Sequence, residues 1–95
     1  MVEKITRWKN MNEFIEVIQE AYAKFEKRRD EKYGDEWKTM TLKQLQFRLV
    51  DEFNELMAAK TIEEIHAESL DVINFGLMIA ERTKNKAEKM TCSTH

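Results

Sequence analysis

No proline interrupts this chain, and its 95 residues include only two glycines, Gly34 and Gly76. A fold of several short strands needs frequent turns, and turns draw on glycine and proline. A chain this poor in both is expected to form a few long helices. Its length corresponds to one small domain, residues 1–95. A monomer of that size buries only about 60–65% of the surface its unfolded chain exposes, which makes self-association an expectation.

Apolar residues recur at helical spacing in three segments. Phe14, Ile18, Ala21, Tyr22 and Phe25 define a first helix over about 11–33, with Asn10 or Asn12 as its N-cap and Gly34 as its stop. Thr41 is placed to cap a second helix that runs to about 59, with a stripe of Leu42, Leu45, Leu49, Phe53 and Leu56. Phe47 and Val50 fall off that stripe. Thr61 and Glu64 form a T-x-x-E capping box that starts a third helix, expected to reach about 83. That helix is apolar nearly all round between about 70 and 80, which marks it as central. The short "AAKT" junction makes helices two and three an antiparallel hairpin. The ends, 1–10 and 84–95, are expected to be partly frayed.

The formal net charge is −2 with 36% charged residues. Without a dominant basic face the chain lacks the electrostatic footprint of a nucleic-acid binder. Its apolar runs are too short to cross a bilayer, and "MVEKITRWKN" lacks the apolar core of a secretory signal. Cys92 is the single cysteine, so no intrachain disulfide forms. These features lead to the expectation of a cytoplasmic protein with no membrane and no nucleic-acid partner.

One segment conflicts with simple core packing. "DEFNELMAAKTIEEIHAESLDV", residues 51–72, carries the pairs Glu52-x-x-Glu55 and Glu68-x-x-Asp71. At about 100° per residue, Glu52 and Glu55 border the leucine stripe of the second helix. Glu68 lies within about 60° of Ile65, Val72, Phe75 and Ile79, and Asp71 shares an adjoining strip with Met78. Counted from the hairpin turn, the four acids are staggered by only about 3–5 Å per step, so they are expected to converge in one cleft. Packed and unpaired, such carboxylates repel until some take up protons. A divalent cation removes the conflict. Mg²⁺ prefers oxygen ligands and keeps waters and substrate phosphates in its shell, which suits an all-carboxylate cleft.

"DEFNEL" followed by "AESLDVINFGLMI" resembles the E-x-x-E…E-x-x-D signature of the MazG-like all-α nucleoside triphosphate pyrophosphohydrolases. Asp51 precedes the first Glu and Leu56 follows the second, as in the family's usual form. Twelve residues separate Glu55 from Glu68, at the short end of the family's range. The likeness extends over about 42–83 and is architectural over the first helix. It implies an enzyme that cleaves an NTP or dNTP between the α and β phosphates, giving the monophosphate and pyrophosphate. Carried over by position, Glu52, Glu55, Glu68 and Asp71 are the implied ligands of Mg²⁺, with Mn²⁺ as an alternative ion. Glu52 or Glu55 is then the implied group that orients or deprotonates the attacking water. The resemblance also implies a homodimer or homotetramer in which helical bundles are completed between subunits.

Around these acids stand secondary candidates for substrate binding. Asn74 occupies a region where the family often carries a polar residue that touches the nucleotide; its alternative role is a helix-packing amide. Trp37 offers an indole for base stacking, or else caps the apolar end of the bundle. Arg82, Lys84 and Lys86 are candidates for the β and γ phosphates, although cations near a helix C-terminus also offset its dipole without any ligand. Lys27, Arg28, Arg29 and Lys32 alternate with Glu26, Asp30 and Glu31 and read as a solvated face. Glu63-x-x-His66 is an E-x-x-H, the motif of di-iron bundles. It lies about 140–160° around the helix from Glu68, which favours an exposed or packing histidine. Two other functions therefore stand beside the enzyme: a non-catalytic helical dimerisation or nucleotide-sensing module that retains the acids, and an iron-binding bundle using His66.

Overall fold

The computed structural model of the chain describes the backbone of residues 2–30 and 36–94, and the side chains of 11–30 and 36–84. Helices α1 (Val2–Arg28), α2 (Leu42–Ala58) and α3 (Ile62–Thr94) are joined by connections, the first containing a 3₁₀ turn at Glu36–Lys38. No strand occurs among the described residues. The fold is all-α, as the scarcity of turn residues requires.

Helix α1 begins at Val2, ahead of the expected start near Asn10 or Asn12. The physical reason is the absence of any breaker: "VEKITRWK" contains neither Gly nor Pro, and its Glu, Lys and Arg propagate a helix well. The same logic carries α3 past the expected end near 83 to Thr94, through "KNKAEKM". The α1 ladder loosens into a π turn at 29–30. The expected stop at Gly34 lies outside the described residues.

The start of α2 is fixed by its cap. Thr41 is extended, its hydroxyl accepts from the Gln44 N–H at 3.0 Å, and Gln44 Oε1 accepts from the Thr41 N–H at 2.8 Å. This reciprocal capping box satisfies two donors that a helix start otherwise leaves unpaired. At α3 the Thr61 hydroxyl accepts from the Glu64 N–H at 3.0 Å. The Glu64 carboxylate accepts from the Thr61 hydroxyl at 3.1 Å, so this pair closes side chain to side chain.

Helix α3 is central: α1 and α2 both pack against it. Among the described residues, the buried apolar side chains are Ala21 of α1, Leu45 of α2 and Leu70 of α3. The remaining stripes are less covered than their spacing predicts. Phe14 is 68% exposed, and Ile18, Tyr22 and Phe53, expected in the core, also stand largely in solvent. Met11 and Ile15 extend the open stripe of α1, and Phe47, Val50 and Met57 extend that of α2. The radius of gyration, 16.1 Å, exceeds the roughly 12 Å of a compact domain of this length. Three helices in this arrangement leave substantial apolar surface uncovered.

Polar ties dock α1 onto α3. The Asn74 amide donates to the Ala21 carbonyl at 2.9 Å in a buried contact, and Lys24 Nζ donates to the Ala67 carbonyl at 2.9 Å. His66 Nε2 meets Glu20 Oε2 at 2.9 Å on the exposed edge. Among the described residues, no helix is long and apolar enough to cross a membrane.

Candidate metal centre and adjoining pocket

Glu52 projects from the middle of α2 toward α3 and is only 4% exposed. One carboxylate oxygen, Oε1, lies 3.5 Å from the Arg48 guanidinium one turn earlier; the other, Oε2, is buried without a hydrogen-bond partner. Glu68 of α3 likewise buries an unpartnered Oε2. Glu55, one turn beyond Glu52 and more exposed, completes a triad. Each of the three glutamates offers an oxygen, and these atoms lie within 4.8 Å of one another.

The electrostatic consequence falls on the protons. Burial is the main cause that raises the Glu52 carboxyl from 4.5 to about 7, followed by the neighbouring Glu55 carboxyl and the charge of Asp71. The Arg48 guanidinium opposes the rise. Glu68 is raised as well, first by burial and then by the negative charges of Asp71 and Glu55, with Lys24 opposing. An unpaired buried carboxylate oxygen is costly, and two such oxygens facing one acidic cluster are the donor set that a hard divalent cation satisfies. These three glutamates could hold an oxygen-ligated cation.

Asp71 stands apart from the triad in its partners. It is 5% exposed, and its Oδ1 lies 3.1 Å from Lys24 Nζ while its Oδ2 lies 3.7 Å from the Arg28 guanidinium. The expected four-acid convergence is therefore realised as three clustered glutamates beside an aspartate neutralised by α1. Lys24 is not among the residues expected at the site, and Arg28 is expected on a solvated face. Arg28 is half exposed, yet its head group reaches Asp71. The available signal was that Lys24 and Arg28 are separated by one helical turn, which puts both on the same side of α1.

Beside the acids opens a cavity of about 500 Å³. Aromatic and thioether groups from Phe25, Trp37, Met40, Phe47, Phe75 and Met78 line it, together with Arg28, Arg29, Arg48, Asp71 and Asn74. Arg48 links cavity and triad, since its guanidinium approaches Glu52 and lies 5.3 Å from the centre of the Phe75 ring. Ligand cavities of roughly 300–1,000 Å³ with mainly apolar walls and a few placed polar groups are the common form of small-molecule sites.

The secondary candidates separate clearly. Trp37 lines the cavity, with its ring edge-on to Phe25 at 6.4 Å. Asn74 also lines it, but its amide donor is engaged by the Ala21 carbonyl, the packing role weighed against nucleotide contact. Arg82 donates to the carbonyls of Trp37 at 3.1 Å and Met40 at 2.8 Å, so it fastens the connection that forms one cavity wall. Lys84 pairs with Glu81 at 3.0 Å on the exposed surface. The Lys86 side chain lies outside the described residues. His66 is occupied by Glu20 and takes no part in the triad.

Comparison with protein-family models, with curated proteins and with solved structures finds no match to this chain.

Proposed function

We propose that the chain is a Mg²⁺-dependent nucleoside triphosphate pyrophosphohydrolase, cleaving an NTP or dNTP to the monophosphate and pyrophosphate. The observation that carries this reading is the pair of buried, unpartnered carboxylate oxygens on Glu52 and Glu68, set against an aromatic and arginine-lined cavity. The cavity has the size and walls for a base and sugar, and its arginines Arg28, Arg29 and Arg48 match the charge of a phosphate chain. The acid triad would hold the ion at the phosphates, with Mn²⁺ able to replace Mg²⁺. When bound, the ion supplies neutralisation of phosphate charge and a lowered pKa for an attacking water.

The protein's own groups have distinct tasks in this reading. Glu52, Glu55 and Glu68 hold the ion, and Asp71 is the fourth acid that the MazG-like pattern assigns to it. Glu55, the most exposed of the three glutamates, is best placed to orient or accept a proton from water. Trp37 and Phe75 present faces or edges to a base, and Arg82 acts indirectly by holding Trp37 and Met40 in place. Oxygen-only ligation favours Mg²⁺ or Mn²⁺ over the iron that an E-x-x-H site would take.

The architecture that accompanies this reading is an α2–α3 hairpin carrying the acids, with the bundle completed in a homodimer or homotetramer by the open stripes of α1 and α2. A cytoplasmic location belongs to the same proposal. The test is pyrophosphate release from a panel of NTPs and dNTPs with Mg²⁺. Release is expected from at least one nucleotide, abolished by EDTA and by Glu52→Gln with the helical circular dichroism intact. No release from any nucleotide by the folded protein would refute the enzymatic reading.

A further inference from the structure

We propose that Gln44 reads the base of the nucleotide, as a fixed hydrogen-bond donor that selects an oxo group over an amino group. The preferred substrates are then nucleotides of uracil, thymine, guanine or hypoxanthine, ahead of those of cytosine or adenine. The inference rests on the nucleotide reading above and specifies which bases the same cavity takes.

Three observations converge on it. First, Gln44 lines the cavity together with Trp37 and Phe47, and its amide has only one orientation open to it. A glutamine amide is ordinarily ambivalent, because half a turn exchanges its donor and acceptor ends. The α2 cap removes that freedom. The Thr41 backbone N–H can only donate, and it meets Gln44 Oε1 at 2.8 Å. A flipped amide would set N–H against N–H, so the end left to a ligand is the Nε2 donor. Secondly, the cap is itself anchored. Arg82 of α3 donates to the carbonyl of Met40, the residue before Thr41, at 2.8 Å, and to that of Trp37 at 3.1 Å. Thirdly, Gln44, Arg48 and Glu52 follow one another at four-residue steps along α2. They fall within about 80° of the helix face and span about 12 Å of its rise.

That row sets which end of a nucleotide meets Gln44. With an ion at the glutamates and Arg48 at the phosphates, the base extends toward the start of α2 and presents its sugar-distal edge there. On that edge thymine and uracil carry O4, and guanine and hypoxanthine O6, all of them acceptors; cytosine and adenine carry an amine. An oxo group accepts from Gln44 Nε2. An amine meets it donor against donor, and the cap blocks the amide rotation that would relieve the conflict. Gln44 is exposed, so the contact has the worth of an ordinary net hydrogen bond, about 3- to 10-fold in affinity.

The experiment is calorimetric titration in Mg²⁺ with analogues whose α–β bridge is an imido group, so that no hydrolysis intervenes. Two pairs are compared, each an oxo base against its amino counterpart: the analogues of dUTP and dCTP, and those of dITP and dATP. The wild type is expected to bind the oxo member of each pair about 3- to 10-fold more tightly. Gln44→Glu keeps an acceptor for the Thr41 N–H, in the usual T-x-x-E form of the cap, but has no donor. It should hold the wild-type Tm and reverse the preference, and repulsion between its charge and the phosphates cancels within each pair. Gln44→Met, uncharged and without a donor, should bind both members alike. Equal or amino-favouring binding by the wild type would overturn the proposal and leave the nucleotide reading standing. So would an unchanged ratio in the folded variants, which is the result for a glutamine that only caps its helix. A folded wild type that binds none of the four analogues would overturn the nucleotide reading itself.

Discussion

Glu52→Gln should stabilise the ion-free protein while removing its response to metal. The carboxyl of Glu52 rises from 4.5 to about 7, chiefly through burial. The folded state therefore holds this proton more tightly than the unfolded chain, and between those values folding takes up protons. Stability that is fully present below pH 4.5 is lost as pH rises through 7. At 1.36 kcal/mol per pH unit, the ionised form at pH 8 costs the fold about 3 kcal/mol. Glutamine has no charge to bury and loses only the partly exposed Arg48 contact at 3.5 Å, so the gain at pH 8 should be about 2–3 kcal/mol. For a chain of this length that corresponds to a rise in Tm of roughly 10 °C or more. At pH 5 the wild-type carboxyl is itself protonated, and the difference should shrink to under about 1 kcal/mol. Thermal and urea unfolding in EDTA at both pH values measures this directly. Mg²⁺ should then raise the Tm of the wild type at pH 8 and leave Glu52→Gln unmoved. A variant no more stable than the wild type at pH 8, or equally stabilised at both pH values, would refute the reasoning.

Other substitutions probe the parts that position the site. Asn74→Ala removes the buried donor to the Ala21 carbonyl and should cost about 1–3 kcal/mol, read from the urea midpoint. Gly76 lies inside α3, and a Cβ there would meet nothing within 4 Å. Gly76→Ala should therefore raise stability by about 0.5–1 kcal/mol through helix propensity alone, seen as an increased Tm. Phe53→Glu places a charge in the open apolar stripe of α2; sedimentation equilibrium should show a shift toward monomer with the helical signal retained.

The helices were legible in the sequence because their signals are local. Apolar spacing, the caps at Thr41 and Thr61 and the scarcity of Gly and Pro each act within one or two turns. The apolar character of α3 between about 70 and 80 also identified the helix that both others pack against. Helix ends were less legible, because charged but helix-favouring segments at both termini continue a helix without any apolar periodicity. The triad of Glu52, Glu55 and Glu68 followed from helical angle and chain reversal. The environment of Asp71 did not, since it depends on where α1 lies against α3, a long-range relation that no spacing within α3 encodes. The same limit applies to Arg82, whose partners at Trp37 and Met40 belong to a distant connection. Coverage was misjudged at Phe14, Ile18, Tyr22 and Phe53 because periodicity identifies an apolar face without saying whether the same chain covers it.

The central claim is that three glutamates form a cation site whose repulsion the ion relieves. Crystals soaked in Mn²⁺ at pH 8 and measured for anomalous scattering test it most directly. The account predicts a peak between the carboxylates of Glu52, Glu55 and Glu68. A map with no peak there, in crystals where the three side chains remain ordered and clustered, would contradict it.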